Sequence, residues 1–167
     1  MQGTTHIIGG VAVGMLCASA LGLQGAAFVG AIGVATVGSL FPDIDTKTSR
    51  MGSKVKPVSV VISKAFGHRT LFHSPILYIT MYLMGLHWLP QYKEVLDCFI
   101  AGVVSHLFLD MLNVKGIPLF YPFKRMYHLT GIKTGGAGEM MFRVMLATAI
   151  CIGIVFRITQ GHILGLG

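Results

Sequence analysis

The sequence contains few charged residues: Asp, Glu, Lys and Arg make up 11% of its 167 residues, against about 25% in typical soluble domains. Its three cysteines show neither a disulfide framework nor a metal-binding spacing, and each lies in an apolar run, as small core residues do. No Lys or Arg occurs before Lys47, so the first apolar run lacks the positive segment of a signal peptide. These absences exclude an ordinary cytosolic enzyme and a disulfide scaffold, and they predict that the first run is kept as a helix.

Long apolar segments dominate the chain instead, and 53% of its residues are hydrophobic. Five segments of about 15–19 residues approach the length that crosses a ~30 Å hydrocarbon layer. They cover residues 6–23, 24–41, 75–89, 95–112 and 140–158. The sequence therefore predicts an all-α, polytopic membrane bundle of about five transmembrane helices, forming a single domain over residues 1–167.

Two further patterns indicate how these helices pack. Gly10-x-x-x-Gly14 and the series Gly25, Gly30, Gly33 and Gly38 are typical of helices that approach closely in lipid. Between the second and third segments, apolar residues recur at helical spacing over residues 58–66 beside several lysines. This second pattern predicts a short amphipathic helix lying on the membrane surface.

The basic residues predict the orientation of the bundle. Under five crossings, the loops 42–74 and 113–138 lie on the same side as the N-terminus and hold ten Lys and Arg, whereas the opposite side has only Lys93 and Arg157. This bias places the N-terminus in the cytoplasm. Because the net charge of +7 is concentrated in these loops, we expect it to meet anionic lipid and not nucleic acid.

Ionisable side chains occur at the predicted cytoplasmic end of every segment. Such groups are costly at membrane depth and usually mark function, so we predict that they form one site. His106 and Asp110, spaced i, i+4, share a helix face, and Asp110 could bind the same ion or orient the imidazole. Asp43 and Asp45 follow a helix-ending proline, and one could bind metal while the other orients a ligand. The candidate metal ligands are His6, Asp43, Asp45, His68, His73, His106 and Asp110.

Mixed imidazole and carboxylate ligands suit zinc, and also manganese or iron. Seven candidates exceed the four ligands of one tetrahedral ion, so a centre of one or two divalent ions is expected. A two-ion centre is the usual arrangement for phosphoester hydrolysis. Three residues are candidate catalytic groups: Asp45 or Glu139 as proton relay, and Arg69 as a clamp for a phosphate oxygen.

The ordered motifs also resemble those of a known family. These motifs are Thr5-His6-x-x-x-Gly10, Pro42-Asp43-Ile44-Asp45-x-x-x-Ser49, His68-Arg69-x-x-x-His73-Ser74, His106-x-x-x-Asp110 and Gly138-Glu139. The set resembles the YdjM family of bacterial inner-membrane proteins, described as metal-dependent hydrolases. The resemblance implies that the seven candidate ligands form a metal site. The Pro-Asp segment and the His-x-x-x-Asp helix are also faintly similar to zinc-dependent phospholipase C.

The function expected from the sequence is hydrolysis of a membrane lipid or lipid-linked ester, with a phosphoester as the favoured bond, at the cytoplasmic face. Two alternatives use the same ligands without catalysis. A metal transporter or sensor would need further ligands toward the opposite face, where the sequence offers few. A partner-binding protein would use the metal only to hold short helices together, and the sequence does not identify its partner.

Overall fold

The computed structural model of the protein describes residues 1–66, 71–123 and 125–159. Within these residues the chain is mostly helical with one two-stranded pairing, so the all-α prediction is confirmed. The helices are α1 (Gly3–Ala20), α2 (Gly25–Leu40), α3 (Lys56–Phe66), α4 (Pro75–Trp88), α5 (Lys93–Met111) and α6 (Ala137–Thr159). Three 3₁₀ turns cover Phe41–Asp45, Leu71–His73 and Pro90–Tyr92. Strands β1 (Ile117–Pro118) and β2 (Met126–Tyr127) pair antiparallel between α5 and α6.

The five long helices coincide with the five apolar segments to within about three residues. Local chemistry explains the ends. Pro42 lacks the N–H that would continue α2, and Pro75 occupies the first turn of α4, where a missing N–H costs nothing. Gly22, with φ of +68°, makes the tight turn from α1 to α2 that a side chain would disfavour.

In the part of the chain that the structure describes, three helices are long and apolar enough to cross a membrane: α1, α2 with its following 3₁₀ turn, and α6. The 14 residues of α4 span only about 21 Å. The 19 residues of α5 span about 28 Å, but charged residues occur at both of its ends. The membrane character of the bundle is thus supported by three helices, and the count of five crossings and the single domain stay predictions.

The centre of the bundle is the contact of α1, α2 and α5, where small residues let the backbones approach. A Cβ at Gly14 would lie 2.8 Å from the Ile32 Cα, and one at Gly10 2.9 Å from the Thr36 Cα. A Cβ at Gly38 would lie 3.1 Å from the Phe99 carbonyl carbon. The close packing predicted for these three glycines is confirmed.

The same expectation is wrong for the other glycines of the series. Gly30 and Gly33 have no neighbour within 4 Å of an added Cβ among the described residues, and Gly25 takes a positive φ at the start of α2. An added Cβ at these glycines would meet open space, because successive small residues on a helix do not all share one face.

The short helix predicted between the second and third segments is α3. Its Val58 and Val61 are exposed, whereas Ser59 is fully buried against the rest of the protein. An outward apolar face with a polar residue turned inward is the arrangement expected of a helix that meets lipid. Its position on a membrane surface stays a prediction.

Candidate metal centre

Histidines and aspartates from four separate segments meet at one end of the bundle. They come from the first turn of α1, the 3₁₀ turns beside α2 and α4, and the last turns of α5. The structure brings together His6, Asp43, Asp45, His73, His106 and Asp110. All of these side chains are at most 1% exposed except that of Asp43, which is 20% exposed. Among the residues that the structure describes, the cluster is therefore buried, and Asp43 is its most exposed side chain.

Two imidazole nitrogens and two carboxylate oxygens face one another at the centre of the cluster. The Nε2 of His73 lies 3.7 Å from both Asp43 Oδ1 and Asp110 Oδ2. The Nε2 of His106 lies 3.9 and 3.8 Å from the same two oxygens. Donor atoms on a regular tetrahedron around zinc are about 3.3–3.4 Å apart, so these four nitrogen–oxygen separations are longer than that spacing by about 0.3–0.6 Å. Asp43, His73 and His106 form one group able to hold a divalent ion, and Asp110 lies beside both imidazole nitrogens of that group.

The hydrogen bonding of His106 determines which of its nitrogens is free to bind metal. Its Nδ1 lies 2.7 Å from the Ser39 carbonyl oxygen. A carbonyl only accepts, so Nδ1 carries the hydrogen, and Nε2 of the neutral ring is an acceptor. This Nε2 is buried, has no hydrogen-bond partner among the described residues, and faces two carboxylate oxygens. Buried acceptors that face each other are unfavourable unless a cation or proton lies between them.

Asp45 lies on the opposite side of the His73 ring from this group. The Oδ2 of Asp45 is 3.3 Å from His73 Nδ1, and its Oδ1 accepts a hydrogen bond from the Thr46 hydroxyl. A carboxylate on the second ring nitrogen is how metal-binding histidines are usually oriented. Burial lowers the pKa of His73, but hydrogen bonds to Asp43 and Asp45 outweigh it and raise this pKa to about 9. Of the two aspartates, the geometry places Asp43 on the ligand side and Asp45 behind His73.

His6 packs against the same cluster. Its ring stacks on that of His106 with centroids 3.8 Å apart, and its Nε2 lies 3.4 Å from Asp110 Oδ1, which also contacts the Met1 amino group. His6, His106 and Asp110 form a second group able to hold an ion. Because His106 offers only one lone pair, the two groups cannot each bind an ion through it. The geometry favours one ion, and the two-ion centre stays a prediction.

Comparison with known proteins assigns the chain to a family. The sequence model of the YdjM inner membrane protein family matches residues 1–164. The chain belongs to the YdjM family. The resemblance of its motifs is thereby confirmed, together with the prediction of a protein from an inner-membrane family. No solved structure matches this YdjM-family chain.

Two kinds of relative illustrate this membership. The uncharacterized protein YvsG of Bacillus subtilis (strain 168) is 35% identical over 152 residues, which cover 90% of this chain and 92% of YvsG. The inner membrane protein YdjM of Escherichia coli (strain K12) is 35% identical over 94 residues, covering 54% of this chain and 48% of that protein. The Shigella flexneri YdjM matches to the same extent. The match therefore spans about half the length of the two YdjM proteins.

Glu139 is buried at the start of α6, and its hydrogen bonds indicate a positioning role. Its Oε1 accepts from the Gln2 backbone N–H at 2.7 Å and from the Thr5 hydroxyl at 2.6 Å. Its Oε2 accepts from the Gly135 N–H at 2.7 Å. These bonds connect the N-terminus of α1 to the start of α6, and one of them is made by the Thr5 hydroxyl. A proton-relay role for Glu139 stays a prediction.

The remaining sequence predictions fall outside the described residues, since His68 and Arg69 are not among them. Sequence reasoning also missed supports of the cluster. The Ser49 hydroxyl donates to the Asp43 carbonyl, and the Tyr78 hydroxyl donates to the Phe72 carbonyl. Ser49 belongs to one of the motifs that resemble the family, but the sequence alone did not show which group it would contact. The Ser39 carbonyl gave no signal, because a backbone acceptor leaves no mark on residue type.

Proposed function

We propose that this YdjM-family protein is a membrane-embedded, metal-dependent hydrolase that acts on a lipid or lipid-linked ester, with a phosphoester as the bond broken. The observation that carries the proposal is the Nε2 of His106. It is buried, held in its acceptor form by Ser39, and directed at the carboxylates of Asp43 and Asp110. A divalent cation satisfies all of these groups at once.

The residues of the chain have distinct roles in this proposal. Asp43, His73, His106 and Asp110 hold the ion, with zinc as the first choice and manganese or iron as alternatives. The two carboxylates balance the charge of one divalent ion. A bound ion supplies a Lewis acid for the ester oxygen and lowers the pKa of water. Asp45 orients His73, and the partly exposed edge at Asp43 is the route by which substrate reaches the site.

The position of the cluster supports a lipid substrate. The cluster lies where α1 begins and α2 ends, two helices that are apolar enough to cross a membrane. A head group at the membrane surface would meet it there without leaving the bilayer. The basic loop after α2 lies at the same end, and the Arg50 side chain packs beside Gly3. This charge fits a phosphate and also the proposed cytoplasmic orientation of this end.

A second function is favoured by the burial of the cluster. Of the five residues in the two ligand groups, four are at most 1% exposed: His6, His73, His106 and Asp110, but not Asp43. Such burial is expected of ligands whose ion only holds helices together. A transporter or sensor is less well supported. Among the described residues, both groups of metal-ligating side chains lie at this one end of the bundle.

The two functions are separated by measuring metal and cleavage on the same purified protein. Elemental analysis should find one divalent ion per chain in the wild type and none after His106→Ala or Asp43→Asn. A head-group screen with phospholipid vesicles should show cleavage that these variants abolish. His87→Ala is the matched control, because His87 lies near the far end of α4 and should keep both properties.

The possible outcomes lead to different conclusions. Stoichiometric metal without cleavage of any lipid, combined with unfolding on chelation, would support the purely structural ion. Cleavage that persists in both ligand variants would contradict the catalytic assignment. A wild-type protein that binds no divalent ion when supplied with zinc, manganese and iron would contradict both functions.

A further inference from the structure

Two cysteines face each other at the opposite end of the bundle from the metal centre. The Sγ of Cys17 in α1 lies 3.4 Å from the Sγ of Cys98 in α5. Cys98 is 1% exposed and Cys17 is half-buried. A disulfide has an S–S distance of about 2.05 Å, so the sulfurs need to approach by about 1.4 Å to bond. Cys151, the third cysteine, is exposed on α6 and does not belong to this pair.

The packing of α1 on α5 fixes this pairing. Toward the other end of the same interface, His6 stacks on His106, and a Cβ at Gly9 would lie 2.9 Å from the Ser105 hydroxyl. Cys17 and Cys98 continue this register to the far ends of the two helices. The pair is therefore a consequence of helix contact along the whole interface, and a bond between its sulfurs would lock the helices that carry His6 and His106.

Each cysteine of the pair has an open side: Cys17 is half-buried, and Cys98 borders a cavity. An apolar cavity of about 280 Å³ reaches Cys98 and is lined by Leu23, Ala27 and Val95, with Glu94 at its edge. Cys17 lies in the last turn of α1, close to the turn into α2. Under the predicted orientation this end faces the extracytoplasmic side, where disulfides form and persist.

We propose that Cys17 and Cys98 form a reversible disulfide with each other. The electron acceptor is a disulfide compound, which is reduced to two thiols. The half-buried Cys17 thiolate attacks the oxidant, which releases one thiol and leaves a mixed disulfide. Cys98 loses its proton and attacks the Cys17 sulfur, which releases the second thiol. One S–S bond is formed and one is broken, and two electrons pass from the two cysteines to the oxidant. The proposal does not depend on the metal or on catalysis.

Tryptic mapping of the full-length protein tests the pair directly. Cleavage after Lys and Arg places Cys17, Cys98 and Cys151 in the separate peptides 1–47, 94–115 and 144–157. The purified protein is treated with oxidised glutathione, denatured, alkylated with a maleimide and digested. We expect peptide 1–47 to be linked to peptide 94–115, one maleimide per chain instead of three, and recovery of all three thiols after dithiothreitol.

Single variants provide the controls. Cys151→Ser should keep the link and leave no alkylated thiol after oxidation. Cys17→Ser should abolish the link and leave Cys98 open to alkylation in the denatured protein. Three alkylated thiols in the oxidised wild type, a link that includes Cys151, or glutathione retained on Cys17 without the internal link would each overturn the proposal. The wild-type measurement decides even if a variant fails to fold.

Discussion

Replacing Gly102 with alanine tests whether helix packing and the metal centre depend on the same contact. Gly102 faces α2, where an added Cβ would lie 2.8 Å from the Ala35 carbonyl carbon and 2.9 Å from the Ser39 nitrogen. Both neighbours are helix backbone, which cannot rotate away as a side chain can. The methyl group would therefore force α5 and α2 apart. His106 lies one turn further along the same face of α5, so its bond to the Ser39 carbonyl should lengthen.

The expected magnitude follows from comparison with Gly33→Ala. A Cβ at Gly33 has no neighbour within 4 Å among the described residues, so this variant only gains the helix preference of alanine, about 0.5–1 kcal/mol. Gly102→Ala gains the same preference but also overpacks a tight contact, which costs about 1–3 kcal/mol. The difference between the two variants should lower the unfolding midpoint by about 2–12 °C for a chain of this size.

The assay is thermal unfolding of both variants in the same detergent, with metal content measured on each sample. We expect Gly102→Ala to unfold at the lower temperature and to hold less metal, whereas Gly33→Ala matches or exceeds the wild type. Equal midpoints for the two variants would refute the close approach of α2 and α5. A lower midpoint with full metal content would refute the coupling of that approach to His106.

Three further predictions concern the supports of the centre. Glu139→Gln removes the charged carboxylate that accepts hydrogen bonds from three donors. The thermal unfolding midpoint should therefore fall by an amount equivalent to about 2–3 kcal/mol, while metal stoichiometry is unchanged. Loss of the ion would instead place Glu139 at the ion itself. Tyr78→Phe frees the turn that carries His73 and should weaken zinc affinity by about tenfold or less in a competition titration. Chelation should lower the midpoint of the wild type by about 2–3 kcal/mol equivalent but leave His106→Ala unchanged, and equal shifts would contradict the assigned ligand.

The helices were predictable from the sequence because their signals are local. The length of each apolar run indicates a helix, Pro42 indicates where α2 ends, and Pro75 indicates where α4 begins. Which glycines make contact was not predictable. Gly33 and Gly38 look alike in sequence, but only Gly38 faces α5, since the rotation of a helix about its axis depends on its partners.

The residues of the centre were predictable as a group but not in their separate roles. Alternating helix direction brings His6 and His106 to one end wherever the exact boundaries fall. The separate roles of Asp43 and Asp45 could not be predicted from the sequence. A two-residue spacing in a 3₁₀ turn does not reveal which side of His73 each carboxylate occupies. The sequence pattern identifies which side chains come together. The hydrogen bond from His106 Nδ1 to the Ser39 carbonyl, seen only in the structure, identifies which nitrogen of His106 is left to bind metal.

The state of His106 follows from a proline three residues beyond Ser39. The last four carbonyls of a helix lack partners within it, and Ser39 is next to last in α2. In a 3₁₀ continuation its carbonyl would accept from residue 42, but Pro42 has no N–H to give. The carbonyl is instead met by His106 Nδ1, which α5 brings within 2.7 Å because Gly102 allows the helices to touch. The same residues that end α2 and pack it on α5 therefore leave a buried imidazole lone pair directed at two carboxylates.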